Sequence, residues 1–154
     1  MLKIAICDDE DFFLEKMKTA VEIELNKLGI NNFAIETYLS SRKLAGLNEN
    51  ISKYNVIFLD INMQELTGLE LAKHIRKYDD DVLIVFVTAF IDYSIEGYKY
   101  GVADYLLKDT FAKTLPECIR TIIKRLKLKA GTITMDFLEG RETLNTSQIL
   151  YFEQ

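Results

Sequence analysis

The sequence predicts an α/β protein whose doubly wound, five-stranded parallel sheet is covered by helices on both faces. Strand-like and helix-like segments alternate five times along the chain. Each helical segment is a plausible crossover, and the central strand segments are almost continuously apolar, as in sheets buried on both sides. In such folds ligands bind at the carboxyl ends of the strands, near the switch in strand order. The polar residues at those ends are therefore the first candidates for function.

Five segments are predicted as strands. The segment 33–39 (FAIETYL) alternates apolar and polar residues, so we expect one wetter face and a position near a sheet edge. The segment 82–87 (VLIVFV) is the most apolar, so we expect it to be buried. The complete set of predicted strands covers 2–7, 33–39, 54–59, 82–87 and 103–107.

Five segments are predicted as helices, from apolar residues spaced three and four apart. Gly29 is expected to end the first helix, and Ser41 to cap the second. Thr114 and Glu117 have the spacing of a capping box, with Pro116 in the first turn of the helix that follows. The predicted helices cover 11–28, 42–48, 68–78, 91–100 and 115–129.

Composition excludes several classes of function. The chain has 154 residues and a net charge of −5, so no overall basic field attracts nucleic acid. No segment approaches the ~18 apolar residues of a membrane span, and no signal peptide is present, which predicts a cytoplasmic protein without a membrane partner. Cys7 and Cys118 are expected to be reduced thiols. The single histidine, His74, argues against a histidine metal cluster and is expected on the outer face of its helix.

The last 23 residues depart from this alternation. Residues 132–154 read as a strand, a Gly-Arg turn and further strands, which are too short to form a core of their own. We therefore predict one domain over 1–127, followed at 128–154 by a linker and the first strands of a second domain.

Polar side chains follow four of the five predicted strands. Asp8 and Asp9, Asp60, Thr88 and Lys108 each have an ordinary structural explanation when taken singly. Together, at one edge of a parallel sheet, they favour phosphoryl transfer to a carboxylate. Clustered acids form an oxygen-rich Mg²⁺ site, and the cation offsets their mutual repulsion.

The same chemistry predicts individual roles. Asp60 would be the nucleophile that forms an aspartyl phosphate. Lys108 would pair with one phosphate oxygen, and Thr88 would hydrogen-bond another. Glu10 and Asp11 are expected to take no part in the chemistry and to act as helix-start acids.

Four motifs lie at the carboxyl ends of the predicted strands: "ICDDE" (6–10), "VIFLDINM" (56–63) with Gly68 following, "VTA" (87–89) and "DYLLK" (104–108). These motifs and the spacings between them resemble a two-component response regulator over about residues 1–127. The resemblance implies a receiver domain with the flavodoxin-like strand order 2-1-3-4-5, phosphorylated by a sensor histidine kinase and dimerising on activation.

This resemblance implies further roles for single residues. Asp60 is the phospho-acceptor and also contacts the metal. Asp9 binds Mg²⁺ directly, Asp8 binds it directly or through water, and Asn62 contributes its backbone carbonyl. Thr88 and Tyr105 form the implied switch pair. Ala89 is the implied small residue that leaves room for the phosphate.

The tail adds a second, shorter resemblance. "GRETLNTSQILYFE" (140–153) is similar to the opening strands of the LytTR-type DNA-binding domain. It implies a transcription regulator that contacts DNA only through a C-terminal domain largely missing from this chain.

Two positions depart from the family pattern. Asp109 stands where a proline with a cis peptide bond usually follows the site lysine, so we predict a trans bond and a carboxylate that competes for Lys108. Gln64 stands where a proline is common after the acceptor strand, so we expect a less stiff loop.

Two other functions remain open from the sequence. The first is a pseudo-receiver, an interaction module that does not phosphorylate. The second is an aspartate-nucleophile phosphohydrolase. In that class the second acid of an Asp-x-Asp arrangement serves as general acid, and here Asn62 stands at that position. No glycine-rich phosphate loop follows any strand, which disfavours a nucleotide-binding module.

Overall fold

A computed structural model describes residues 1–89 and 98–130 of the chain. Its five strands form one all-parallel sheet in the order β2-β1-β3-β4-β5, which confirms the predicted fold class. The strands are β1 (Leu2–Cys7), β2 (Phe33–Tyr38), β3 (Val56–Leu59), β4 (Leu83–Thr88) and β5 (Asp104–Leu107).

Within residues 1–89 and 98–130, four helices and two 3₁₀ turns flank the strands. The 3₁₀ turns are Asn48–Lys53 and Tyr98–Tyr100. The predicted helix over 91–100 lies outside the described residues apart from the second of these turns. The helices are α1 (Asp11–Lys27), α2 (Ser41–Ala45), α3 (Gly68–Tyr78) and α4 (Phe111–Ala130).

Apolar residues form a separate core on each face of the sheet. One core packs α1 and α4 against the first face, and the other packs α2 and α3 against the second. The strands β1, β3 and β4 are buried along almost their whole length, whereas β2 at the edge is partly exposed. The apolar content of each segment therefore follows its place in the sheet.

Two predicted helix starts are wrong. Ser40, not Ser41, caps α2 by accepting a hydrogen bond from the Lys43 N–H, because the Ser41 hydroxyl instead accepts from the Leu66 N–H at 2.8 Å. The last helix begins at Phe111 rather than 115, so Thr114 lies inside it and caps nothing.

The early start of α4 has a tertiary cause. The Phe111 ring packs edge-on against the Phe13 ring of α1, with centroids 5.1 Å apart, and this contact anchors the extra turn. Pro116 is consequently interior to the helix, not in its first turn. The helix runs to Ala130, past the predicted domain boundary at 127, and the predicted strands of the tail lie outside the described residues.

His74 does not lie on the outer face of its helix. It is half-buried, and its Nε2 lies 2.9 Å from the Ala45 carbonyl oxygen and 3.1 Å from Asn48 Oδ1. The side chain therefore joins α3 to the end of α2. Both cysteines are buried free thiols, as expected. In the part of the chain that the structure describes, no helix has the length and apolar content that a membrane crossing requires.

Candidate functional site

The carboxyl ends of β1 and β3 lie side by side at the switch in strand order. The Asp60 N–H donates to the Cys7 carbonyl at 3.0 Å, so the hydrogen-bonded ladder continues one residue beyond the strands. This register places Asp8, the first acid after β1, next to Asp60, the first acid after β3. Carboxylate oxygens of Asp8, Asp9 and Asp60 lie within 4.8 Å of one another.

The three carboxylates differ in their exposure. Asp8 and Asp60 are buried, with 3% and 5% of their surface exposed, and Asp9 is exposed. Asp9 Oδ2 accepts a hydrogen bond from the Gln64 N–H at 3.1 Å, and Asp8 Oδ1 accepts one from the Glu10 N–H at 2.8 Å. The protein therefore fixes the acids in place from its own backbone.

Burial sets the ionisation of the two inner acids. Loss of water around its carboxylate, together with the like charge of Asp8, raises the pKa of Asp60 to about 6. Burial likewise raises the pKa of Asp8, against the hydrogen bond from Lys108. The pair thus carries an electrostatic strain that a bound cation would relieve.

Lys108 provides a positive charge at the same edge of the sheet. Its backbone N–H donates to the Thr88 carbonyl at 2.8 Å, which continues the β4–β5 ladder by one residue. Its Nζ lies 2.9 Å from Asp8 Oδ2, 3.2 Å from Asp60 Oδ2 and 2.9 Å from Glu10 Oε1. Burial alone would lower the pKa of Lys108, but the hydrogen bonds to Asp8 and Glu10 raise it above its ordinary value.

Glu10 is the site residue that the sequence analysis missed. It stands at the N-cap position of α1, but among the described contacts its carboxylate makes no hydrogen bond to the helix N–H groups. It binds Lys108 instead, 98 residues away in the chain. No local pattern could have shown this contact, because it depends on how β5 ends relative to β1.

Asp109 is exposed, and within the described residues the ion pairs of Lys108 do not include it. The competing carboxylate is therefore Glu10. None of the peptide bonds in residues 1–89 and 98–130 is cis, which confirms the predicted trans bond after Lys108.

Two of the three predicted phosphate contacts, Ala89 and Lys108, line an open cavity of about 450 Å³, and the third, Thr88, is not among its lining residues. Asp60, Lys108 and Ala89 line it together with Asn62 and Gln64. A backbone N–H of Asn62 hydrogen-bonds the Asp60 carboxylate. The cavity is therefore bounded by a buried carboxylate, a cation and a small side chain.

The predicted switch residues lie at the ends of β4 and within β5. Thr88 is almost fully buried, with 1% of its surface exposed. Tyr105 is half-buried, and its ring packs at 5.2 Å against the ring of Phe86. Their assignment as a switch pair stays a prediction.

The loop between β3 and α3 is fastened at several points. The Leu66 N–H donates to Ser41, and the Gly68 N–H donates to the Ile61 carbonyl at 2.7 Å. Thr67 and Glu70 form a capping box at the start of α3, which the sequence carries as a T-x-x-E motif. Whether Gln64 softens this loop stays a prediction.

The donor set fits Mg²⁺. Three carboxylates offer hard oxygen ligands close to one another. The positively charged Lys108 ammonium lies 2.9 Å from one of them, that of Asp8. Asp8, Asp9 and Asp60 are the residues that would hold the ion, and an exposed cavity beside them leaves room for water and phosphate oxygens.

Comparison with known proteins agrees with this geometry. The response regulator receiver domain family matches residues 4–120. The chain belongs to this family. It is thus a receiver domain of the two-component type, with the five-stranded parallel sheet typical of that fold.

Two relatives that are similar in sequence to this receiver domain are a response regulatory protein and a sensory transduction protein. A response regulatory protein of Vibrio vulnificus is 33% identical over 133 residues, which cover 85% of this chain and 50% of that protein. The sensory transduction protein LytT of Oceanobacillus iheyensis is 39% identical over 77 residues, 49% of this chain and 31% of that protein. The matched part thus spans half or less of either relative.

A solved structure resembles the receiver domain closely. The response regulator TrrA from Thermotoga maritima, crystallised in complex with Mg²⁺ and BeF, is 27% identical with a TM-score of 0.65. The alignment covers 79% of this chain and 99% of that one.

Proposed function

We propose that this receiver domain accepts a phosphoryl group on Asp60 from a phosphorylated sensor histidine kinase, in a reaction that requires Mg²⁺. The observation that carries the proposal is the meeting of Asp8, Asp9 and Asp60 with Lys108 at one end of the sheet. A relative with the same fold was crystallised with Mg²⁺ and BeF, which agrees with this reading of the site.

The transfer is a displacement at phosphorus. A carboxylate oxygen of Asp60 forms a bond to phosphorus while the bond between phosphorus and the donor histidine nitrogen breaks. The bonding electron pair returns to the histidine nitrogen, so the imidazole is the leaving group. Bound Mg²⁺ supplies positive charge that neutralises the phosphoryl oxygens.

The chain's own residues position the group that is transferred. Asp8 and Asp9, with Asp60 and the backbone carbonyl of Asn62, hold the ion. The Lys108 ammonium donates a hydrogen bond to one phosphoryl oxygen, and the Thr88 hydroxyl donates to another. Ala89, a small exposed residue on the cavity wall, leaves room for the third.

Phosphorylation would then change an output surface. The phosphoryl group adds a charge near −2. The Thr88 hydroxyl then turns toward it and the Tyr105 ring turns inward, which biases the surface around β5 and α4. The output is dimerisation and control of transcription. DNA would be contacted through a LytTR-type domain, of which 128–154 are the linker and first strands.

Intact-mass measurement tests the proposal. The protein is incubated with acetyl phosphate and Mg²⁺, and we expect a gain of one phosphoryl group that EDTA abolishes. Asp60→Asn should show no gain, whereas Asp80→Asn, the same change at an exposed acid distant from the site, should react like the wild type. An undiminished adduct in Asp60→Asn would overturn the assignment. Absence of any adduct in the wild type would favour a non-phosphorylating interaction module.

A further inference from the structure

The ammonium of Lys108 is fully engaged before any phosphoryl group arrives. A lysine ammonium has three N–H donors. Its three carboxylate partners, Asp8, Glu10 and Asp60, all lie within 3.2 Å. A phosphoryl oxygen can therefore bind the ammonium only if one of these contacts is released.

The three partners differ in how readily they can leave. The side chains of Asp8 and Asp60 are 4% and 5% exposed, so withdrawing a charge contact from either leaves a carboxylate that has little direct contact with solvent. The Glu10 side chain is 67% exposed. Its carboxylate can turn into solvent, where water replaces the lost hydrogen bond. Glu10 is accordingly the contact that exchanges at the lowest cost.

The rest of the lysine side chain is held in place. The Lys108 Nζ lies 4.6 Å from the centre of the Phe13 ring, and Phe13 is buried between α1 and α4. Phe13 in turn packs against Phe111. With the ammonium bounded by a ring and by two buried acids, Glu10 is the solvent-exposed member of the group that touches it.

We infer that Glu10 is a positioning residue that slows phosphorylation of Asp60, because its carboxylate holds the Lys108 ammonium and must be displaced by the incoming phosphoryl oxygen. This inference rests on the proposed function of Asp60. It assigns to Glu10 a role outside the acid cluster, whose members among the described residues are Asp8, Asp9 and Asp60.

Removal of the Glu10 charge should therefore speed the reaction. In Glu10→Gln the side chain keeps its size and an acceptor oxygen but loses its charge, so Lys108 is held less tightly and exchanges more readily to the phosphoryl group. An exposed ion pair has a modest free energy, which corresponds to an acceleration of about two- to fivefold. Glu15→Gln, the same change at an exposed position further along α1, should react at the wild-type rate.

A second variant separates contact from simple charge repulsion. Glu10→Asp keeps the negative charge near the cavity but shortens the side chain and favours capping of the α1 N–H groups. If Glu10 acts through Lys108, then Glu10→Asp should also accelerate phosphorylation. If the charge merely repels an anionic donor, Glu10→Asp should retain the wild-type rate.

The experiment measures the rate of adduct formation from acetyl phosphate at saturating Mg²⁺, followed by intact mass, with thermal unfolding of each variant in parallel. We expect faster reaction in Glu10→Gln and Glu10→Asp, and none of this gain in Glu15→Gln. An unchanged or slower rate in Glu10→Gln, or acceleration in Glu10→Gln alone, would overturn the inference while leaving the proposed function intact. A wild type that forms no adduct would overturn both.

Discussion

Asp60 is held as a carboxylate in surroundings that favour the acid. Burial and the neighbouring Asp8 raise its pKa to about 6 from the ordinary value of 3.8. The folded state therefore binds the proton more tightly than the unfolded chain between these two values. The stability that this proton contributes is complete below about pH 4 and is lost as the pH rises through about 6. At neutral pH the ionised acid destabilises the fold.

Asp60→Asn should consequently be more stable than the wild type at pH 7.5 without a metal ion. We expect a gain of about 1–2 kcal/mol in the free energy of unfolding, since removal of the charge is offset in part by the lost contact with Lys108. At pH 4.5, where Asp60 is largely protonated, the gain should shrink. Urea unfolding in EDTA at both pH values measures this, with Asp80→Asn as the control. A variant that is less stable at pH 7.5 would contradict it.

The start of α3 shows how an element holds the site. Gly68 lies against the backbone of Asp60 and Ile61, and its N–H donates to the Ile61 carbonyl. A Cβ at this position would approach the Ile61 Cα to 2.7 Å and the Asp60 carbonyl oxygen more closely still. Both neighbours are backbone atoms that no side-chain rotation can move. Glycine is required here by the close approach of two chain segments.

Gly68→Ala should therefore displace the loop between β3 and α3. We expect destabilisation of about 1–3 kcal/mol, as for other overpacked positions, together with a much slower phosphorylation of Asp60. Gly46→Ala is the matched control, because Gly46 has ordinary helical backbone angles and lies at the end of α2. Urea unfolding and the mass assay measure the two effects. A Gly68→Ala protein with wild-type stability and rate would show that the loop tolerates the side chain.

Arg76 ties the end of α3 to the turn that leads into β5. Its guanidinium donates to four backbone carbonyls, at distances between 2.6 and 3.3 Å. These carbonyls belong to the end of α3, the start of β4 and the turn after the second 3₁₀ segment, namely Asp79, Val82, Tyr100 and Gly101. A planar group with five donors suits this task.

Arg76→Lys should lose most of these bonds while keeping the charge. An ammonium cannot reach four carbonyls in a plane, so we expect a loss of about 2 kcal/mol in the free energy of unfolding. Arg42→Lys, at an exposed position on α2, should change stability little. Amide hydrogen exchange would locate the effect at residues 98–104. Equal stability of the two variants would contradict the assigned role of Arg76.

The molecule as a whole places its chemistry at one end of a sheet. The strand segments and the acids that follow β1 and β3 could be predicted from sequence, because apolar runs mark the strands and a parallel sheet brings their ends together. The strand order followed from the family resemblance. The contact of Glu10 with Lys108 could not, since it joins positions 98 residues apart. Nor could the start of α4, which depends on Phe111 packing against Phe13 rather than on the local capping signal.

The central claim is that Asp60 carries the phosphoryl group. Borohydride reduction of the protein after reaction with acetyl phosphate and Mg²⁺ converts an aspartyl phosphate to homoserine, which peptide mass mapping then locates. The account predicts homoserine at position 60 and its loss when EDTA is present. Homoserine at another aspartate, or an unmodified peptide at position 60 from a phosphorylated protein, would contradict it.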